Sequence, residues 1–221
     1  MKIKNIELQF LGHSGFIIKN GKKIVIDPYK ISDNVEKADL ILITHSHYDH
    51  CSIGDIEKLV EPGTVVICTA DSQSKIMKVQ GIELQVVEVG EKVELDDIRV
   101  EVVPAYNLRK EYHPKSEGWV GYVIRIGNVV IYHAGDSDFI PEMKNLTGYG
   151  NKDNEFVTLL PVSGKYVMNY EQASEAASLL SPDLAIPMHY GAGVAGTLND
   201  AENFVELCNE KNINSEILEK I

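Results

Sequence analysis

The sequence predicts an α+β fold built from two similar halves. Two hairpin signals carry most of this. The first is Gly15-Phe16-Ile17-Ile18-Lys19, the pair Asn20-Gly21, then Lys23-Ile24-Val25-Ile26-Asp27. The second is Gly121-Tyr122-Val123-Ile124-Arg125-Ile126, the pair Gly127-Asn128, then Val129-Val130-Ile131-Tyr132. Apolar residues at period two around a Gly/Asn pair are the mark of antiparallel strands joined by a tight turn. Both copies begin at Gly and run on to an acid, Asp27 and Asp136, as a duplicated half would; two unrelated hairpins would read the same way. The third observation is the set of helix-period stretches placed between and after the hairpins.

Residues 3–27 read as strands. The run Leu40-Ile41-Leu42-Ile43 is a buried strand type, and Ser52 can cap a short helix with Ile53, Ile56, Leu59 and Val60 on its inner face. Thr64–Cys68 is a further buried strand. Residues 71–80 predict a helix closed by Gly81, and 84–104 alternate as strands. The stretch 137–154, rich in Gly, Asn and Pro, reads as a loop. A strand over 156–160 stops at Pro161. A helix over 170–180 buries Ala173, Ala176, Ala177 and Leu180, a strand over 184–188 delivers His189, and a last helix runs from about 200 to 211. No linker or low-complexity stretch interrupts the chain, so 1–221 reads as a single domain.

A net charge of −12 with no Lys/Arg block gives no basic footprint for nucleic acid. No apolar run reaches the length needed to span a bilayer, and Met1-Lys2-Ile3-Lys4 opens a strand pattern rather than a signal peptide. Three scattered cysteines do not make a disulfide framework. Cys208 shares a helical face with Ala201, Phe204 and Val205, and Cys51 is expected to be buried beside the site rather than to be a ligand. The expected compartment is cytoplasmic, the expected partner a small-molecule substrate, and a homo-oligomer the expected assembly.

The chemistry concentrates in His45-Ser46-His47-Tyr48-Asp49-His50. Residues i and i+2 of an extended run project to one side, so His45 and His47 can hold one ion. Asp49 and His50 follow where the strand breaks and can face a neighbouring one. Imidazole with carboxylate suits zinc, iron, manganese or nickel rather than calcium or magnesium.

This H-x-H-x-D-H segment after a hydrophobic strand resembles the signature of the metallo-β-lactamase-fold hydrolases. The resemblance implies a four-layer αβ/βα sandwich with one or two metal ions at its edge. Asp136, in Gly135-Asp136-Ser137, resembles the aspartate that bridges two ions, and His189 the last metal ligand. One departure stands out. Most members carry a metal histidine after the strand corresponding to 99–104, where this chain has Ala105-Tyr106-Asn107. The nearest histidine, His113, is the candidate to complete the His45/His47 site; an exposed loop histidine is the alternative.

A stretch like Gly12-His13-Ser14-Gly15 occurs in the branch containing ascorbate 6-phosphate lactonase, where it implies a substrate-binding or supporting role for His13 close to the metals; a histidine that satisfies a buried hydrogen bond between strands is the alternative. Asp27 is expected either to fix the tautomer of a ligating imidazole or to end a hairpin. Lys165 and Asn107 are candidate substrate-binding residues, and His133 a support residue. The expected activity is hydrolysis of an ester, lactone or phosphodiester by metal-activated water, with two divalent ions, zinc first. Asp49 is then both ligand and proton acceptor. A metal-binding sensor or scaffold without turnover is the alternative.

Overall fold

The computed structural model describes residues 1–151 and 153–221. The chain forms two compact units, one of Met1–Glu88 with Glu219–Ile221, the other of Val89–Leu218.

The first unit holds a seven-stranded sheet in sequential order: β1 (Lys2–Ile3), β2 (Ile6–Gly12), β3 (Gly15–Asn20), β4 (Lys22–Ile26), β5 (Leu40–Leu42), β6 (Thr64–Cys68) and β7 (Ile82–Val86). Strands β1 to β4 pair antiparallel, and β4 to β7 run parallel. The β3/β4 hairpin pivots on Gly21, at φ 71°, with Asn20 opposite Lys22. Ile24, Val25 and Ile26 are all buried although they alternate between faces. That explains why this segment reads as a continuous apolar run.

Helix α1 (Ile53–Leu59) begins at Ser52 as expected, but the Ser52 hydroxyl donates to Asp55 at 2.7 Å rather than accepting from the backbone. Helix α2 (Ala70–Ile76) is shorter than the 71–80 its sequence predicts. Beyond Met77 the N–H of Val79 turns back to the carbonyl of Ile76, which seats Val79 in the core with Ile41, Ile56, Leu59 and Val66. Burial of one apolar side chain outweighs another helical turn here.

The second unit holds a six-stranded sheet, β8 (Lys92–Leu95), β9 (Ile98–Pro104), β10 (Val120–Ile126), β11 (Val129–His133), β12 (Glu155–Pro161) and β13 (Leu184–Met188), again adjacent in chain order. Strands β8 to β11 are antiparallel, and β11, β12 and β13 parallel. The sequence of an antiparallel meander followed by parallel strands therefore occurs in both units, each containing one of the two hairpins. Helix α3 (Tyr170–Leu180) buries the four residues its period selects, and the Asn169 side chain accepts from the N–H of Gln172. In α4 (Leu198–Glu210) the inward face is Ala201, Phe204 and Cys208; the N–H of Thr197 donates to Asp200 at 2.7 Å, so the helix starts slightly before the expected 200. The loop 137–154 contains a 3-10 turn over Pro141–Leu146. Its buried residues, Ile140, Met143 and Leu146, are spaced by three, which is the 3-10 repeat. Among the described residues no helix is long and apolar enough to cross a membrane.

Candidate metal centre

In each unit the chemistry sits just past the carboxyl ends of parallel strands, where such sheets present ligand-binding groups. In the first unit β4 ends at Ile26 and Asp27 follows, fully buried with φ 41°. Its carboxylate accepts the backbone N–H of Thr44 at 2.9 Å, the Thr44 hydroxyl at 2.6 Å and Nδ1–H of His50 at 2.8 Å. An ionised carboxylate only accepts, so Nδ1 of His50 carries the ring proton and Nε2 keeps its lone pair. The same logic passes through Thr44. Its proton is committed to Asp27, so its oxygen accepts from Nδ1–H of His45 at 3.0 Å. Nε2 of His45 is thereby a lone-pair atom too, and it stands 3.0 Å from Nδ1 of His47. Asp27 ends the hairpin strand, and its carboxylate is also placed to take the Nδ1 proton of His50 directly and to set that of His45 through Thr44.

Nε2 of His13 lies 2.9 Å from Oδ2 of Asp49, and that oxygen is 3.6 Å from Nε2 of His50. The ligand atoms of His13, Asp49 and His50 all fall within 4.8 Å of one another, and all three residues are buried.

In the second unit Asp136 follows β11 across Gly135. The turn requires glycine. Its φ is 61°, and a Cβ there would stand 2.5 Å from the Val120 carbonyl oxygen. The N–H of Gly135 donates to Nδ1 of His133 at 3.2 Å. Oδ2 of Asp136 is 3.1 Å from Nε2 of His189 and 3.3 Å from Nε2 of His113. Nδ1–H of His113 donates to the carbonyl of Tyr166 at 2.9 Å, and its ring lies edge-on to Trp119. His113 is thus buried and held against Asp136, not exposed on a loop. His189 has Nδ1 2.8 Å from the Ser163 hydroxyl. His13, Asp27, His113 and His189 all adopt positive φ without being glycine. Backbone strain of this kind collects at functional sites.

The donor chemistry fits divalent metal binding. Nε2 of His113 faces a carboxylate oxygen with its only proton turned to Tyr166. Two buried acceptors at that range repel unless a cation lies with them. Imidazole nitrogen and carboxylate oxygen are the donors such ions take.

The comparisons agree. The family model described as the beta-lactamase superfamily domain matches residues 7–189. The UPF0173 metal-dependent hydrolase of Pyrococcus furiosus is 33% identical over 217 residues, covering 93% of each chain. That of Thermoplasma acidophilum is 33% identical over 200 residues, covering 85% of this chain and 84% of the other. The chain belongs to the metal-dependent hydrolases of the beta-lactamase superfamily. A solved structure described as a candidate metal-dependent hydrolase from Parabacteroides distasonis matches this hydrolase with a TM-score of 0.82 at 28% identity, over 97% of this chain and 94% of that one. Igni18, a metallo hydrolase from Ignicoccus hospitalis, shares the fold, with a TM-score of 0.76 at 24% identity over 97% and 95% of the chains. The fold is therefore the metallo-β-lactamase fold that the H-x-H-x-D-H segment led one to expect, with two mixed sheets and flanking helices.

Of the residues expected at the mouth of the hydrolase site, Asn107 is buried, and its amide nitrogen donates to the carbonyls of Tyr112 at 2.8 Å and Tyr166 at 2.6 Å. Lys165 is exposed with its ammonium 4.7 Å from the centre of the Tyr166 ring. All three cysteines are buried thiols. Burial pushes the Cys51 thiol up to about 11. Thr44, Ser163 and the Tyr166 carbonyl were not singled out from sequence. Thr44 left one signal, a hydroxyl at the strand end directly before a candidate ligand histidine; a backbone carbonyl leaves none.

Proposed function

We propose that this hydrolase binds two divalent transition-metal ions, zinc first with manganese, iron or nickel as alternatives, and cleaves an ester, lactone or phosphodiester bond of a small molecule. The proposed ligands are His45, His47, Asp49 and His50 in the first unit and His113, Asp136 and His189 in the second. The observation that supports this most is the way tautomers are set from behind. Asp27, Thr44 and the Tyr166 carbonyl each take an Nδ1 proton and so turn an Nε2 lone pair toward another donor.

Bound divalent ions supply Lewis-acid polarisation of the scissile group and lower the pKa of water from near 16 to about 7. The chain's own groups do the rest. Asp49 is the proposed proton acceptor, with Nε2 of His13 at 2.9 Å holding its Oδ2 and able to pass a proton on. Lys165 is proposed to hold an anionic group of the substrate. Asn107, its NH₂ committed to two carbonyls, offers Oδ1 as an acceptor for a substrate hydroxyl or N–H; that atom has no hydrogen-bond partner among the described residues. The net charge of −12 favours a small molecule over nucleic acid, and three buried thiols favour the cytoplasm.

The test pairs elemental analysis with a substrate panel of aryl esters, lactones and phosphodiesters. His47→Ala and Asp136→Ala are each expected to lower metal content and abolish turnover of whichever substrate the parent hydrolyses. Undiminished metal and turnover in both variants would overturn the assignment.

A further inference from the structure

We propose that helix α2 sets the geometry of the His45/His47 pair by gripping both sides of the residue between them, with Asp71 and Lys75 as positioning residues. The inference rests on the reading of His45 and His47 as metal ligands and adds residues that the H-x-H-x-D-H segment does not contain.

Asp71 and Lys75 are four apart on α2, so they project from one face a single turn from each other. That face meets Ser46. Oδ2 of Asp71 accepts the N–H of Ser46 at 3.3 Å, and Nζ of Lys75 donates to the Ser46 carbonyl at 2.5 Å. The N–H lies in the peptide plane joining His45 to Ser46. The carbonyl lies in the plane joining Ser46 to His47. Holding both planes fixes φ and ψ of Ser46, which are the dihedrals that set how the two histidines are turned relative to each other. The third plane is held as well, since the His47 carbonyl accepts from the N–H groups of His50 and Cys51.

The grip is itself supported. The Thr69 hydroxyl donates to Oδ1 of Asp71 at 2.5 Å and lies 3.0 Å from the Ser72 hydroxyl. Ser46 is only half-buried and lies outside any strand, so neither packing nor a sheet ladder fixes it. Without α2, the Ser46 peptide groups between the two rings whose nitrogens meet at 3.0 Å would lose their side-chain anchors. Metal sites need their ligands held to about 0.5 Å, which is beyond an unanchored loop.

The sign of one charge change separates positioning from plain electrostatics. Lys75 is a cation behind metal ligands, and removing it relieves repulsion of the incoming ion. Electrostatics alone therefore predicts that Lys75→Met binds metal more tightly, whereas loss of the grip predicts weaker binding.

Zinc affinity of the purified protein is measured by chelator competition, beside the visible spectrum of the cobalt-loaded form and urea unfolding of the metal-free form. Lys75→Met is expected to weaken zinc binding 10–100-fold, the range for groups that orient ligands from behind, and to alter the cobalt bands. Lys75→Arg is expected to restore most of the affinity. Zinc affinity in Lys75→Met equal to or above the parent overturns the proposal. Should that variant not fold, Thr69→Val decides: it keeps every charge but frees the Asp71 carboxylate, and an unchanged affinity and cobalt spectrum there overturn it equally. A parent protein that binds no metal refutes the ligand assignment instead, so the two failures are distinguishable.

Discussion

Asp27→Asn replaces one oxygen by an NH₂ group and is expected to reverse two imidazole tautomers at once. Asp27 accepts three hydrogen bonds, from the Thr44 N–H, the Thr44 hydroxyl and Nδ1–H of His50. Asparagine can keep only the first, through its remaining oxygen. Its NH₂ then stands where Oδ2 was, facing two donors. The Thr44 hydroxyl must turn round to accept, which points its proton at Nδ1 of His45. Nδ1 of His50 must likewise accept. Both rings respond by moving their proton to Nε2, the atoms that in the parent face His47 and Asp49.

The metal-free protein loses two charge-assisted bonds of about 1.5–3 kcal/mol each but recovers two neutral ones of about 1 kcal/mol, a net loss of about 1–4 kcal/mol. Metal binding must reverse two tautomers or displace two protons. The loss is expected at the upper end of the range of about 10–100-fold for groups that orient a single ligand. Zinc competition near neutral pH gives the affinity, urea unfolding of the metal-free form gives the stability, and long-range proton–nitrogen NMR gives the tautomers directly. Zinc affinity within about twofold of the parent, with both rings still protonated at Nδ1, would refute the relay through Asp27 and Thr44.

Two further outcomes follow from the same geometry. Gly135→Ala places a methyl 2.5 Å from the Val120 carbonyl at a φ of 61°; strain and overpacking together are expected to remove about 2–5 kcal/mol from urea-unfolding stability, and a loss below about 1 kcal/mol would contradict the close approach. Burial pushes the thiols of Cys68 and Cys208 from the ordinary 9 up to about 12 and about 11. Between these limits the unfolded chain has lost protons the folded chain keeps, so stability is full below pH 9 and falls as pH rises through 11. A urea midpoint that stays level from pH 8 to pH 11 in the parent, or that falls as steeply with both thiols replaced by Ala, would count against it.

The fold was legible wherever burial imposes a period. The β10/β11 hairpin, the inward face of α3 and the β6 strand lie where their apolar runs and helical period put them. The His45 to His50 candidates were legible because they are adjacent in sequence. A candidate whose partner is remote was less so. His113 is held by the carbonyl of Tyr166, 53 residues away, at a positive φ that nothing in Glu111-Tyr112-His113-Pro114 announces. Asp71 and Lys75 read simply as the charged ends of a short helix, acid in its first turn and base in its last, which is what the helix dipole alone would ask for.

The repeated strand order gives the two aspartates a common origin in topology and different work in chemistry. In each unit an antiparallel meander ends in a strand, β4 or β11, that begins the parallel run, and in each an aspartate follows that strand's carboxyl end. Asp27 sits immediately after β4, buried under Thr44 and His50, and takes protons from Thr44 and from the far side of the His50 imidazole. Asp136 sits beyond a two-residue extension, Ala134-Gly135, whose glycine takes a φ closed to other residues by the Val120 carbonyl. That extension carries the carboxylate past the strand end, so that Oδ2 meets the Nε2 atoms of His113 and His189 instead of their backs. The length of one turn thus decides whether a carboxylate at a shared topological position meets the Nδ1 side of a histidine or its Nε2 atom, and Gly135 is the residue that makes the longer turn possible.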